Sequence, residues 1–184
     1  MFDKIDSVNW EQLQQAHGNA EHVPSAIKNL ISEDAKTREA SYWQLDNHIV
    51  LQSDLYEASF YAIPFLIEIL QSDTSLGRDY VYDLLFEIAN GHAAQELKCS
   101  YDGQELGLRE ACRVSIIDFL PVFLSEVADL NSSCREQALD LLMSLSEAKE
   151  KIVPVLSAIL SDEGAESKLG NKLNEAITEL NSSE

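Results

Sequence analysis

The sequence predicts an all-α chain, an array of about four helical pairs interrupted by one long irregular loop. Three observations predict it. Four segments repeat one pattern, an apolar residue, a proline and an apolar helical run: Val23-Pro24-Ser25-Ala26-Ile27, Ile63-Pro64-Phe65-Leu66-Ile67, Leu120-Pro121-Val122-Phe123-Leu124 and Val153-Pro154-Val155-Leu156. Each is followed by an acidic turn and a second helical run, the mark of stacked helical repeats. Only 4 prolines and 7 glycines occur, and they fall where helices should start or stop.

Taken in order, Asn9 followed by Trp10, Glu11, Gln12 and Leu13 predicts a capped first helix closed by Gly18. Pro24 suits the first turn of a second helix, where its missing N–H is not needed. Asp34 precedes a third run reaching about Leu51 and ending near Ser53 and Asp54. The stretch 56–71 is helical on both sides of Pro64, either as two helices that meet or as one kinked helix. The stretch 77–90 is amphipathic, with Val81, Leu84, Leu85 and Ile88 on one face and Gly91 as its stop. From 91 to 107 the periodicity fails. This segment reads as a long loop with at most one helical turn, and a loop of that length in a compact array is often functional. Helical periodicity resumes over 108–127, 133–146, 149–160 and 169–180, and the closing 181–184 is expected to fray.

Two units align without gaps. Arg78, Asp79, Tyr80 and Val81 match Arg135, Glu136, Gln137 and Ala138; Asp83, Leu84 and Leu85 match Asp140, Leu141 and Leu142; Ile88 matches Leu145. Each arginine follows an acidic turn residue, Asp73 before Arg78 and Asp129 before Arg135, as Asp34 precedes Arg38. A ladder of Asp–Arg pairs between successive turns is the expectation. Exposed pairs of that kind contribute only about 0–1 kcal/mol each, so leucine packing must dominate stability.

These residues resemble the HEAT-repeat family: apolar-Pro-x-Leu-x-x-Leu-Leu, an Asp at the turn, an Arg opening the second helix, then Ala and Leu positions. The likeness covers the chain outside 91–107. It implies a right-handed α-α superhelix spanning 1–184 as one domain, with the second helices (36–51, 77–90, 133–146 and 169–180) lining the concave side. Trp10, Leu13, His17, Gly18, Ala20, Val23 and Pro24, with Tyr56, Glu57, Ala58 and Ser59 running into Ala62–Leu66, are also similar to a group of small bacterial HEAT-like proteins. Some members of that group are immunity proteins that sit beside secreted toxins.

Charge is the second strong signal. The 184 residues carry 32 acids against 13 bases, a formal −19. Such a field repels nucleic acid and anionic membrane and attracts basic protein. Between Glu39 and Asn90 nine acids face a single base, Arg78. Asp79, Asp83 and Glu87 share a helical face by their four-residue spacing, Glu136 and Asp140 occupy the equivalent positions, and Asp46 faces the same way more loosely. Like charges four apart cost a helix a few tenths of a kcal/mol, roughly, so folding alone would favour a lysine among them. A solvated polar face is the bland explanation. A concave acidic binding surface is the sharper one, joined by Tyr101, Asp102 and Glu105 from the irregular loop, where a tyrosine between carboxylates suits an interface anchor.

No phosphate-cradling glycine loop, Gly-x-Ser-x-Gly or His-Glu-x-x-His occurs. Cys99, Cys112 and Cys134 form no Cys-x-x-Cys pair, and His17, His22, His48 and His92 stand apart in sequence, so neither a catalytic centre, a metal site nor a cofactor is predicted. A HEAT-like group that excises alkylated bases from DNA needs a basic groove that this chain lacks. No stretch suits a membrane span, and the N-terminus lacks the order of a signal peptide, which predicts a cytoplasmic protein. The leading reading is a non-catalytic interaction module: an acidic immunity or inhibitor protein that occludes a basic partner, a nuclease-like toxin among the candidates. The alternative is an adaptor or assembly scaffold with no inhibitory role.

Overall fold

A computed structural model describes residues 1–182, and Ser183 and Glu184, the last part of the expected frayed end, lie outside it. The chain is mostly helical and divides into two compact units, Met1–Asp118 and Phe119–Glu184. Among the described residues, no helix is long and apolar enough to cross a membrane.

The first unit holds α1 (Val23–Asn29), α2 (Ala35–Ile49), α3 (Glu57–Leu70), α4 (Arg78–Asn90) and α5 (Leu108–Ile117). Helices α1 and α2 form one pair and α3 and α4 a second. Like packs on like between the pairs, α1 against α3 and α2 against α4, and α5 closes against α3 and α4. Helix α3 is the centre of this unit: Phe60, Ile63, Phe65, Leu66, Ile67, Ile69 and Leu70 are all buried. Full burial of each such side chain contributes about 1.5–3 kcal/mol, more than any surface ion pair. Helix α3 also runs unbroken through Pro64, so the two-helix alternative is discarded.

The second unit repeats the scheme with α6 (Leu120–Ala128), α7 (Arg135–Met143), α8 (Lys149–Glu163) and α9 (Lys168–Ser182). Helix α6 packs on α8 and α7 on α9. The aligned positions of the two units match in burial, since Val81, Leu84, Leu85 and Ile88 and their counterparts Ala138, Leu141, Leu142 and Leu145 are all at 0% exposure. Pro24 and Pro121 sit in the first turn of their helices, whereas Pro64 and Pro154 lie inside theirs. Helix α9 extends through Ser182, two residues into the segment expected to fray.

Three expectations are corrected. Residues 9–18 form no α-helix. Trp10–Gln12 makes a single 3-10 turn, and the chain turns extended at Leu13. Trp10 is buried and donates its Nε1–H to the Ile5 carbonyl at 2.7 Å, so tertiary anchoring sets this segment's path. The stretch 108–127 is two helices, α5 and α6, not one. The segment 91–107 is irregular only in part, over 94–97. Strand β3 (His92–Ala93) lies parallel to β2 (Asp54–Leu55), which pairs with β1 (Val50–Leu51), and β4 (Lys98–Tyr101) and β5 (Gln104–Gly107) form a separate antiparallel hairpin. Asp102 and Gly103 connect β4 to β5 with φ of 48° and 76°, the two left-handed residues that a tight hairpin requires.

The recurrent arginines turn out to bond backbone. Arg78 Nη1 donates to the Leu70 carbonyl at 3.0 Å, Arg135 Nε to the Val127 carbonyl at 2.7 Å, and Arg38 Nη1 to the Ser32 carbonyl at 2.7 Å. Arg78 and Arg135 thereby close the carbonyl ends of α3 and α6, where acceptors would otherwise lack donors, and Arg38 ties down the turn that follows α1. The acidic turn residues have a different task. Asp34 accepts from the Thr37 N–H at 3.0 Å and its hydroxyl at 2.7 Å, capping α2, and Asp129 accepts from the Asn131 N–H at 2.9 Å.

Gly77 shows how closely the pairs approach. Its φ is +68°, and a Cβ there would lie 2.0 Å from the Leu30 carbonyl oxygen, at the end of α1. Gly103 also has positive φ, but the space around it is open. Gly77→Ala should therefore destabilise the protein by roughly 3 kcal/mol or more and Gly103→Ala by only about 1 kcal/mol, read from urea unfolding. Equal losses would show that α1 and α4 do not meet in this way.

Candidate functional site

The adjacency of α2 and α4 builds the site. Their apolar edges turn toward the core through Leu45, Ile49, Val81, Leu84, Leu85 and Ile88, which leaves the opposite edges side by side. On that outer side Tyr42 of α2 stacks on Tyr80 of α4, with ring centres 5.0 Å apart and planes inclined by 26°. Trp43 meets Tyr42 edge-on at 5.0 Å and is 51% exposed, and Phe86 is 37% exposed.

The acids gather around this stack. Burial first, then the charges of Asp46, Asp83 and Glu87 and the neighbouring Tyr80, push the Tyr42 hydroxyl up to about 12. Asp46 is half-buried, and burial raises its own carboxyl above the usual range. Asp83 is exposed and Glu87 half-buried. Three of the sequence-predicted residues, Asp46, Asp83 and Glu87, are thus brought together around one tyrosine. Asp79 lies one turn earlier on α4 and is exposed. The aromatic half of this patch escaped the sequence reading because Tyr42 and Tyr80 sit on different helices and no spacing rule joins them.

Tyr101, Asp102 and Glu105 form a second group. Tyr101 donates its hydroxyl to Asp118 Oδ2 at 2.5 Å, and its ring lies edge-on to Phe60 with centres 6.1 Å apart. Burial and the bond to Asp118 push this phenol up to about 12. Tyr101 is therefore half-buried and bonded within the unit, which corrects the picture of a tyrosine offered from a loop. Asp102 at the turn and Glu105 on β5 are exposed. The signal for this geometry was the Asp102-Gly103 dipeptide, a strong hairpin marker.

In the second unit the acids are compensated. Glu136 accepts from Lys168 and Lys172 of α9, each at 2.6 Å, and these bonds hold its carboxyl down at about 2. Asp140 lies close enough to Lys172 to help keep that ammonium charged. Arg135 also pairs with Glu163 at 2.8 Å. An open cavity of about 660 Å³ borders these groups, and its walls carry both signs of charge. The expectation of an uncompensated acidic face at Glu136 and Asp140 is corrected: α9 supplies the lysines that the α7 sequence lacks.

The Glu136 network has a definite acid signature. Its carboxyl sits well below the usual value near 4.5, so the stability it adds is complete above that pH and is lost as pH falls toward about 2. The group is partly exposed, so the gain is small, about 1 kcal/mol or less. The melting-temperature difference between wild type and Glu136→Gln should be positive at pH 6, shrink below pH 4.5 and shrink also in high salt. A difference independent of pH would contradict the network.

No protein-family model matches the sequence, and neither a curated protein nor a solved structure matches it.

Proposed function

We propose that the chain is a non-catalytic, HEAT-like helical-repeat protein of the cytoplasm that binds a basic protein through the α2/α4 face. The like-on-like packing of α1 with α3 and α2 with α4, repeated by α6 with α8 and α7 with α9, supports the repeat reading. The observation that carries the binding reading is the Tyr42–Tyr80 stack with Asp46, Asp83 and Glu87 around it. Carboxylates alone would raise the encounter rate. Exposed aromatic faces beside them add the contact area and cation–π attraction that hold lysine and arginine side chains.

The finer reading is inhibition. The partner is a basic protein of the nuclease-like toxin kind, whose nucleic-acid-gripping lysines and arginines are covered in the complex. Asp79 extends the face along α4, and the exposed Asp102 and Glu105 offer further acidic contacts. Glu136 and Asp140 contribute less, because lysines of their own unit compensate them. The chain neither binds nucleic acid nor docks on anionic membrane, since its net −19 opposes both.

Affinity capture from the producing organism's extract, with wild type and the triple variant Asp46→Asn, Asp83→Asn, Glu87→Gln, tests this. Wild type should retain one stoichiometric partner of isoelectric point above about 9, and co-expression should suppress that partner's activity. The triple variant should bind it at least about tenfold more weakly, with a reduced salt dependence. An acidic partner, or undiminished binding by the variant, would overturn the proposal. A multi-subunit assembly with no inhibited activity would favour the scaffold reading.

A further inference from the structure

Three of the four histidines, distant in sequence, meet in the first unit. His48 lies in the last turn of α2, His22 ends the 3-10 turn Ala20–His22 that leads into α1, and His17 is on the exposed bend beside Gly18. The ring centres of His22 and His48 are 4.7 Å apart with planes at 70°, and those of His17 and His48 are 6.2 Å apart at 90°. The Ala16 N–H donates to the His48 carbonyl at 2.9 Å, which ties the bend carrying His17 to the end of α2.

Hydrogen bonds fix which nitrogens carry protons. Gln15 is 8% exposed and donates its Nε2–H to the His17 carbonyl at 2.6 Å, so its Oε1 is an acceptor. That oxygen lies 3.0 Å from His22 Nε2, which must therefore be the protonated nitrogen. His22 Nδ1 is left with a lone pair, and this atom is buried with no hydrogen-bond partner. His48 Nδ1 lies 2.7 Å from the Gln44 carbonyl, which can only accept, so the His48 lone pair is on Nε2. Each ring thus donates from one nitrogen and keeps a lone pair on the other, the arrangement that orients metal-ligating imidazoles. Burial first, then the nearby His48, lower the pKa of His22.

We infer that His22 Nδ1 and His48 Nε2 form a binding site for a borderline divalent cation, zinc above all, with His17 as third ligand and water completing the shell. Neutral nitrogen donors without thiolate or carboxylate favour Zn(II), Ni(II) or Cu(II) over Mg(II) or Ca(II). A ligating imidazole places its ring centre about 3.2 Å from zinc, so tetrahedral neighbours have ring centres about 5.2 Å apart. The His22–His48 separation of 4.7 Å is about 0.5 Å shorter. The 6.2 Å to His17 is wider, and among the described residues no three ligating side chains already converge. Zinc would therefore draw the three rings closer together, His17 moving with the exposed bend that carries it. A plain edge-to-face contact between the rings leaves the buried His22 Nδ1 unsatisfied, at a cost of about 1–3 kcal/mol, whereas a cation satisfies it.

Calorimetric titration of the full chain with zinc chloride, in 0.15 M NaCl with a non-thiol reductant, tests the site. Wild type should bind one equivalent saturably with micromolar affinity, and zinc should raise its melting temperature. His48→Gln and His17→Gln should each weaken binding about tenfold or more, and Gln15→Leu should weaken it by losing the bond that orients His22. His92→Gln, on β3, should change nothing. His17 is exposed, so its variant keeps the native circular dichroism and separates lost ligation from lost folding. Absence of saturable binding below 0.1 mM zinc, or binding that survives loss of His48 and His17, would overturn the inference.

Discussion

Burial of α3 is the constraint on which the first unit rests. That helix is apolar around most of its circumference, so it must be covered from several directions, and α1, α2, α4 and α5 do so. Because α2 and α4 both turn their apolar edges toward the core, their polar edges are forced together outside. Tyr42 and Tyr80 then stack because there is nowhere drier for two half-polar rings to go, and Asp46, Asp83 and Glu87 are gathered as a result. The acidic aromatic patch is thus a consequence of how the core is closed, and its chemistry depends on residues that contribute little to that core.

The two units treat acid differently. In the second, Lys168 and Lys172 of α9 bracket Glu136, and Arg135 is shared between the Val127 carbonyl and Glu163. Those bonds join α7 to α6, α8 and α9 and spend the acids on internal structure. In the first unit Arg78 reaches the carbonyl end of α3 and Arg38 the turn after α1, and acids of α2 and α4 lie around an aromatic stack. A formal −19 is therefore not a uniform coat.

Helix positions were largely legible, because periodicity and proline placement are local properties. The equal burial of Leu84 and Leu141, or Ile88 and Leu145, was visible in the alignment of one repeat on the other. What was illegible depended on contacts between elements. The Asp-to-Arg recurrence was seen, but its meaning was not: a sequence shows an arginine following an aspartate and conceals the helix end to which the arginine reaches. Trp10 and Leu13 suggested a helix that the Trp10–Ile5 bond and an extended Leu13 replace. The hairpin over 98–107 was missed although Asp102-Gly103 announced it, since the surrounding strands are short and alternate weakly. Asp46, Asp83 and Glu87 were named from charge spacing, while Tyr42 and the histidine cluster needed three-dimensional proximity to be noticed.

The central claim is that the α2/α4 face, through its acids and its aromatic stack, is where a basic protein binds. Zero-length carbodiimide cross-linking of the complex, followed by peptide mapping, tests it most directly, because it joins partner lysines only to carboxylates in actual contact. The account predicts links at Asp46, Asp83 and Glu87, lost when Tyr42 and Trp43 are replaced by alanine. Links concentrated on Glu136, Asp140 or the C-terminal helix, with none on α2 or α4, would contradict it.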